Sequence, residues 1–315
     1  MFENRRSSDV ASRGDGFTRR SACTAIALFI SAPVFSQSPF AANVIEYVPG
    51  DGVPQGYDDG AAVLGIPSRF TDDPLFPAAV TPFSSPYLPS QVCSVGEGGR
   101  LVVEFESPVR DHPTNPYGID LLIFGNSFFI DAAWPSGTVG GLFNDGGVVE
   151  VSLDGKSFVV VPAVEADGLF PTMGYVDTSP YPTEPGLVET DFTKPVDPAM
   201  GPMLIGLSYE QVVEVYAGSG GGAGIDLATV GLAEIRFVRI SVPVGAGITA
   251  EIDGFADVSP DSQDPDPDLD GDGTVGGSDL TMLLAAWGNA GGDADLDGDG
   301  IVGGSDLTVL LAAWK

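Results

Sequence analysis

Apolar and polar positions over most of the chain recur as strands recur. Arg100–Glu106 is a β-rich run that Ser107-Pro108 is expected to stop. Ile119–Phe124 is apolar enough for a strand covered on both faces. Val148–Leu153 and Ser157–Val161 flank Asp154-Gly155, which predicts a hairpin. Ala233–Val242 alternates imperfectly: Ile235 and Phe237 share one face, while Val238 and Ile240 share the other with Arg236. A bulge or a doubly covered strand would account for that. Gly247–Asp253 closes the series. Long Gly/Pro stretches at 71–99 and 162–206 separate these runs, and no helical period interrupts them. The expectation is an all-β sandwich, jelly-roll-like, over residues 43–258.

The pattern changes after Val258. Residues 259–267 read as an extended linker, because proline denies helix and ladder bonds and the aspartates repel one another. Residues 268–315 follow. Asp268–Trp287 and Asp295–Trp314 match at 18 of 20 positions, so the segment is an internal duplication. In each copy an Asp/Gly-rich loop leads into a short apolar stripe. Leu280, Leu283, Leu284 and Trp287 fall at i, i+3, i+4 and i+7; Leu307, Leu310, Leu311 and Trp314 repeat this. The prediction is a small all-α module whose two stripes pack face to face.

The loops carry the chemistry. Calcium takes six to eight hard oxygens, so carboxylates must converge from a tightly curled chain. Asp268, Asp270 and Asp272 occupy positions 1, 3 and 5 of a twelve-residue loop, and Gly273 supplies the sharp turn at position 6. Thr274 offers its carbonyl at position 7, Val275 is placed to pair with its counterpart, and Asp279 closes the loop. Asp295, Asp297, Asp299, Gly300, Ile301, Val302 and Asp306 repeat the set, so two calcium ions are expected. Position 9 is glycine in both copies, which leaves a place for water. No helix enters either loop, which separates the unit from a full EF-hand.

This duplicated Asp-x-Asp-x-Asp-Gly-x-Val loop and helix resembles a dockerin, over about 50 of the 315 residues. The resemblance implies a cohesin-like partner or scaffold on a polysaccharide-degrading system. It also implies that the tenth and eleventh loop positions, Gly277-Ser278 and Gly304-Ser305, read that partner. Val149–Phe158 and Ile235–Ile240 look, more weakly, like two strands of galactose-binding-like sandwiches of the discoidin type. That likeness implies carbohydrate binding through end loops containing Asn126, Trp134, Asn144, Asp226 and Asp253, weighed against Trp134 and Phe124 simply being core.

Composition narrows the classes. The net charge of −31, from 44 acidic against 13 basic residues, speaks against nucleic acid. Five arginines between Arg5 and Arg20 precede an apolar run from Ala22 to Phe35. That run is right for a bacterial-type signal peptide over residues 1–36 and too short to span a bilayer comfortably. An exported protein at the cell surface or beyond, with no transmembrane helix after cleavage, is expected. General secretion fits better than the twin-arginine route, since Ser21-Ala22 lacks that route's bulky apolar residues. Cys93 is then alone and reads as a small buried residue. A single histidine, His112, excludes multi-histidine zinc sites and speaks against Ser-His-Asp or Cys-His catalysis.

Elsewhere in the body, Gly218–Gly224 lacks the strand–turn–helix setting of a nucleotide loop and reads as a flexible loop. Asp120, Asp226 and Asp253 are candidates for a further calcium site, against ordinary turn chemistry. No acid/base signature stands out among the carboxylates, so the sequence leans against an enzyme. The alternatives to a glycan-binding body are a structural surface-layer component and a glycoside hydrolase whose carboxylate pair is unidentified.

Overall fold

Alternation along Arg100–Arg110 builds the longest strand of a computed structural model that describes residues 38–71, 79–258, 267–270, 274–289, 292, 294–296 and 301–314. The expected signal peptide, linker residues 259–266, and Asp272, Gly273, Asp297, Asp299 and Gly300 lie outside the described residues.

Most of the body is antiparallel sheet. One sheet orders β1 (Asn43–Val48), β3 (Arg100–Arg110), β10 (Glu234–Ser241), β7 (Gly146–Ser152) and β8 (Val159–Asp167). A second orders β2 (Cys93–Val95), β11 (Ala250–Asp257), β4 (Leu121–Gly125) and β9 (Ala223–Ile225). Their inner faces meet in one apolar cluster. Leu101, Val103, Phe105, Val149, Val151, Val238 and Ile240 come from the first sheet; Cys93, Val95, Leu121, Ile123, Ile252 and Phe255 come from the second. The architecture is sandwich-like, and each large side chain so buried contributes about 1.5–3 kcal/mol.

Two local irregularities have clear causes. The β3–β10 register shifts between Ile235 and Phe237, so Ile235, Val238 and Ile240 all reach the core. The extra residues lie on β3, where 105–108 stand opposite Arg236, so the imperfect alternation of β10 coincides with an irregular register rather than an extra residue of its own. Ser107-Pro108 does not stop β3, contrary to expectation. β1 covers β3 only from Arg100 to Glu104, and Pro108 lies in the stretch that the bulge leaves unpaired. Proline's missing N–H therefore costs no ladder bond there.

β4 is buried on both faces, as its composition predicts. Leu121 and Ile123 enter the shared core, while Leu122 and Phe124 face a smaller cluster where Phe192 meets Phe124 edge-on at 5.2 Å. The Gly/Pro-rich stretches are thus not mere separators. They join the hairpin of β5 (Phe128–Asp131) and β6 (Val139–Phe143) and helix α1 (Tyr209–Tyr216) in another core, built on Phe83, Phe129, Phe170, Met173, Tyr209, Val212 and Tyr216. Helix α1 is a short helix that the strand pattern does not announce, in a body that is otherwise mostly sheet. Ser208 caps it by accepting the N–H of Gln211, whose side chain in turn accepts the N–H of Ser208.

The Gly218–Gly224 stretch is not a flexible loop in this structure. Gly220, Gly221 and Gly222 are buried, and a Cβ on Gly220 would stand 2.2 Å from the Phe192 ring. Only glycine lets the backbone pass so closely. Two short C-terminal helices complete the fold, α2 (Gly277–Ala286) and α3 (Gly304–Ala312). Among the described residues, no helix is long and apolar enough to cross a membrane.

Candidate functional site

Each C-terminal helix begins at a glycine that an aspartate holds from inside the first turn. The Asp279 carboxylate accepts the N–H of Gly276 at 2.6 Å through one oxygen and that of Asp270 at 3.1 Å through the other. Asp306 accepts the N–H of Gly303 at 2.5 Å. Both aspartates are fully buried. The Gly276 N–H beside it holds the Asp279 carboxyl below the usual carboxylate range, so it stands ionised. Thr281 and Thr308 each donate to the carbonyl four residues back, Gly277 and Gly304, so the repeats match in geometry as in sequence.

Carboxylate oxygens of Asp268, Asp270 and Asp279 lie within 4.8 Å of one another. Three acidic side chains gathered so closely form a donor set that suits a hard divalent cation. Of the second loop's expected ligands, Asp295, Ile301 and Asp306 are described; Asp295 is half-buried and Asp306 buried. The side chains of Thr274 and Ile301 are exposed, as suits positions expected to contribute only a carbonyl. Gly277, Ser278, Gly304 and Ser305 lie exposed in the first turns of α2 and α3.

The apolar stripes divide. Leu280, Leu283 and Ala286 join Leu307, Leu310 and Ala313 in one cluster with Val275, Leu296 and Val302. Leu284 and Trp287, expected in the same stripe, are 52% and 47% exposed; Leu311 and Trp314 are 52% and 42% exposed. Leu284 follows Leu283 by one residue, about 100° round the helix, so a single helix partner cannot cover both rows. Each helix therefore keeps an outward Leu/Trp row. Val275 and Val302 share the cluster, but the N–H of Val302 bonds Asn289 and its carbonyl accepts from Gly288, at the end of α2.

The body's candidate residues separate into distinct places. Asp120 is buried and accepts from the N–H groups of His112 and Leu227 and from the Asn115 amide. Asp226 caps the turn at 227–230 through the N–H of Ala228. Asp111, Asp120 and Asp226 come within 4.8 Å of one another, but Asp253 is not among them. It lies buried in β11, accepting from Ser68 through the backbone at 2.8 Å and the hydroxyl at 2.7 Å. The expected Asp120–Asp226–Asp253 trio is therefore not one site. Asp120 precedes β4 and Asn126 follows it, about 20 Å apart at strand rise, so the loop candidates also sit at opposite ends of the sheet.

Near Asn126 lies a carboxylate network. Asn126 donates to Glu251, while Asp167 accepts from the N–H groups of Ser127 at 2.7 Å and Asp145 at 3.1 Å. Burial, with Asp145 and Glu251 nearby, pushes Asp167 up to about 7. Burial likewise raises Glu251 and Asp145. A carboxyl that titrates near neutrality suits proton transfer. Asp167, however, is fully buried and both its oxygens are bonded, so it ties β8 to two turns rather than facing a substrate.

Trp134 is 75% exposed, which removes the core reading for it, whereas Phe124 is core. Its loop is pinned by Asp131. That carboxylate accepts from Ala133, Gly137 and Thr138, whose N–H groups lower its pKa against the opposing pull of burial. The Tyr181 ring lies 6.4 Å from that of Trp134. Cys93 is buried with a free thiol, as expected. Neither family models nor curated proteins match this chain.

Proposed function

We propose that the C-terminal repeats are a dockerin-like module that binds two calcium ions and docks an exported protein onto a cohesin-like partner. The observation carrying this reading is the convergence of Asp268, Asp270 and Asp279 at the entrance to a helix that leaves Leu284 and Trp287 uncovered. Calcium would cancel the repulsion within each loop and fix the turn, and so fix the direction of α2 and α3. The outward Leu/Trp rows and the exposed Gly277-Ser278 and Gly304-Ser305 pairs then form duplicated surfaces for a partner. Apolar anchors ringed by small polar residues suit protein recognition.

The body on this reading is a jelly-roll-type sandwich, related to galactose-binding-like domains, that the tail displays. Strands β1 to β4 and again β8 to β11 alternate between the two sheets, which supports that topology, while β7 and β8 pair as a hairpin within one sheet. Exposed Trp134 on its pinned loop favours glycan stacking over a purely structural surface role, because an aromatic face held rigid in solvent matches the apolar face of a sugar ring. Asp167 is buried with both oxygens bonded, so it gives the hydrolase alternative no accessible acid.

The test is capture of purified cohesin domains on the immobilised chain, in calcium and in chelator. The reading expects capture in calcium alone, lost when Leu284, Trp287, Leu311 and Trp314 are changed to alanine. Capture that persists in chelator would refute it.

A further inference from the structure

A cavity of about 680 Å³ opens beside β8 and β9, and neither Trp134 nor any residue of the C-terminal repeats lines it. Leu142, Val164, Leu169, Phe170 and Val196 form its apolar walls, and Gly222 and Gly224 leave one side as bare backbone. Its size falls in the range of small-molecule sites. Two wall residues, Ala163 (φ 61°) and Phe170 (φ 67°), hold the left-handed conformation that side chains disfavour. The surrounding packing therefore fixes the wall in a shape that local preference resists.

The polar groups at the cavity are Asn144 and Glu165. Asn144 donates to one Glu165 oxygen at 2.6 Å, which orients the carboxylate. The other oxygen takes no hydrogen bond among the described residues, and no lysine or arginine pairs with Glu165 there. Asp145 is the next residue along the same turn. A sugar would leave most of its hydroxyls unmatched against these walls. An anion would meet Glu165 and a chain of net charge −31.

We propose that this cavity binds a small ligand with an apolar body and a cationic head, the body against Leu142, Val164 and Phe170 and the head paired with Glu165. The amine donates to the unbonded carboxylate oxygen, while Asn144 keeps the other oxygen in place. The site is independent of the docking module and of the Trp134 surface.

The experiment compares phenylbutylamine, phenylbutanol and phenylbutyrate, which share one apolar body, by calorimetry on the chain in calcium. The amine should bind tighter than the alcohol by about threefold or more, with the acid weakest. Glu165→Gln, an exposed change, should bring the amine to the level of the alcohol and leave the thermal transition in place. Val164→Trp should weaken all three by filling the cavity. Equal binding of amine and acid, amine binding unchanged in Glu165→Gln, or no saturable amine binding up to about 10 mM would each overturn the proposal.

Discussion

Asp279 accepts the backbone N–H of Gly276, three residues earlier, at 2.6 Å, and Asp306 stands in the same relation to Gly303 at 2.5 Å. One side chain thus serves two ends. It closes the first turn of a helix that has no side-chain cap at its N-terminal glycine, and it brings a charged carboxylate to the loop. Asn at position 279 keeps an acceptor for the Gly276 N–H but removes the charge and the second oxygen, which accepts from Asp270 in the loop. Asp279→Asn should therefore retain helix content while weakening calcium binding at the first loop at least tenfold. Asp279→Ala should also cost about 1 kcal/mol of helix stability. Calorimetry and circular dichroism on the same samples separate the two roles.

Asp167 and Asp253 lead to a pH prediction for the body. Burial raises both to about 7. A carboxyl raised in the folded state binds its proton there while the unfolded chain has released it. Stability is then fullest below the unfolded value and falls as pH rises towards 7. The slope is bounded at about 1.4 kcal/mol per pH unit for each group. Asp253→Asn should flatten this fall, since Ser68 can turn its hydroxyl to accept from the amide. Urea unfolding of the body transition at pH 5, 6 and 7 measures it (about 1 kcal/mol separates adjacent points for one group).

Gly220 and Gly218 offer a paired test of the packed glycine segment. A Cβ on Gly220 would strike the Phe192 ring, so Gly220→Ala should destabilise by about 1–3 kcal/mol. Gly218 meets nothing within 4 Å, and only its φ of +89° opposes a side chain. Gly218→Ala should cost about 1 kcal/mol. Equal small costs, read from thermal unfolding, would mean that the segment is not packed as described.

Trp134 should be dispensable for folding and needed for sugar. With 75% of its surface exposed, Trp134→Ala should change stability by less than about 0.5 kcal/mol. On the proposed reading it should remove glycan binding, measured by calorimetry on a glycan panel. Full binding by the alanine variant would place any sugar site elsewhere.

Much of the sheet was legible because its signals are local. The unbroken apolar run at β4 and the broken alternation at β10 each map onto one feature, double burial and an irregular register against β3. Helix α1 was missed although Ser208 and Gln211 spell its cap and Tyr209, Val212 and Tyr216 its buried face; eight residues are too few for the period to stand out. Pro108 misled because its tolerance depends on which neighbour β3 has at that point, a non-local fact. The loop aspartates were legible as a motif, but the exposure of Leu284 and Trp287 was not. Periodicity gives a stripe's width and not how much of it a partner helix covers. The cavity at Glu165 and the network around Asp167 join residues far apart in the chain, and no spacing announces them.

The central claim is most directly tested by counting calcium on the chelator-stripped chain with native mass spectrometry and calorimetry. Two ions should bind, with a gain in helix signal. Asp268→Ala with Asp279→Ala should leave one, and adding Asp295→Ala with Asp306→Ala should leave none. A chain that binds no calcium in the millimolar range, or that keeps both ions in the fourfold variant, would contradict the account.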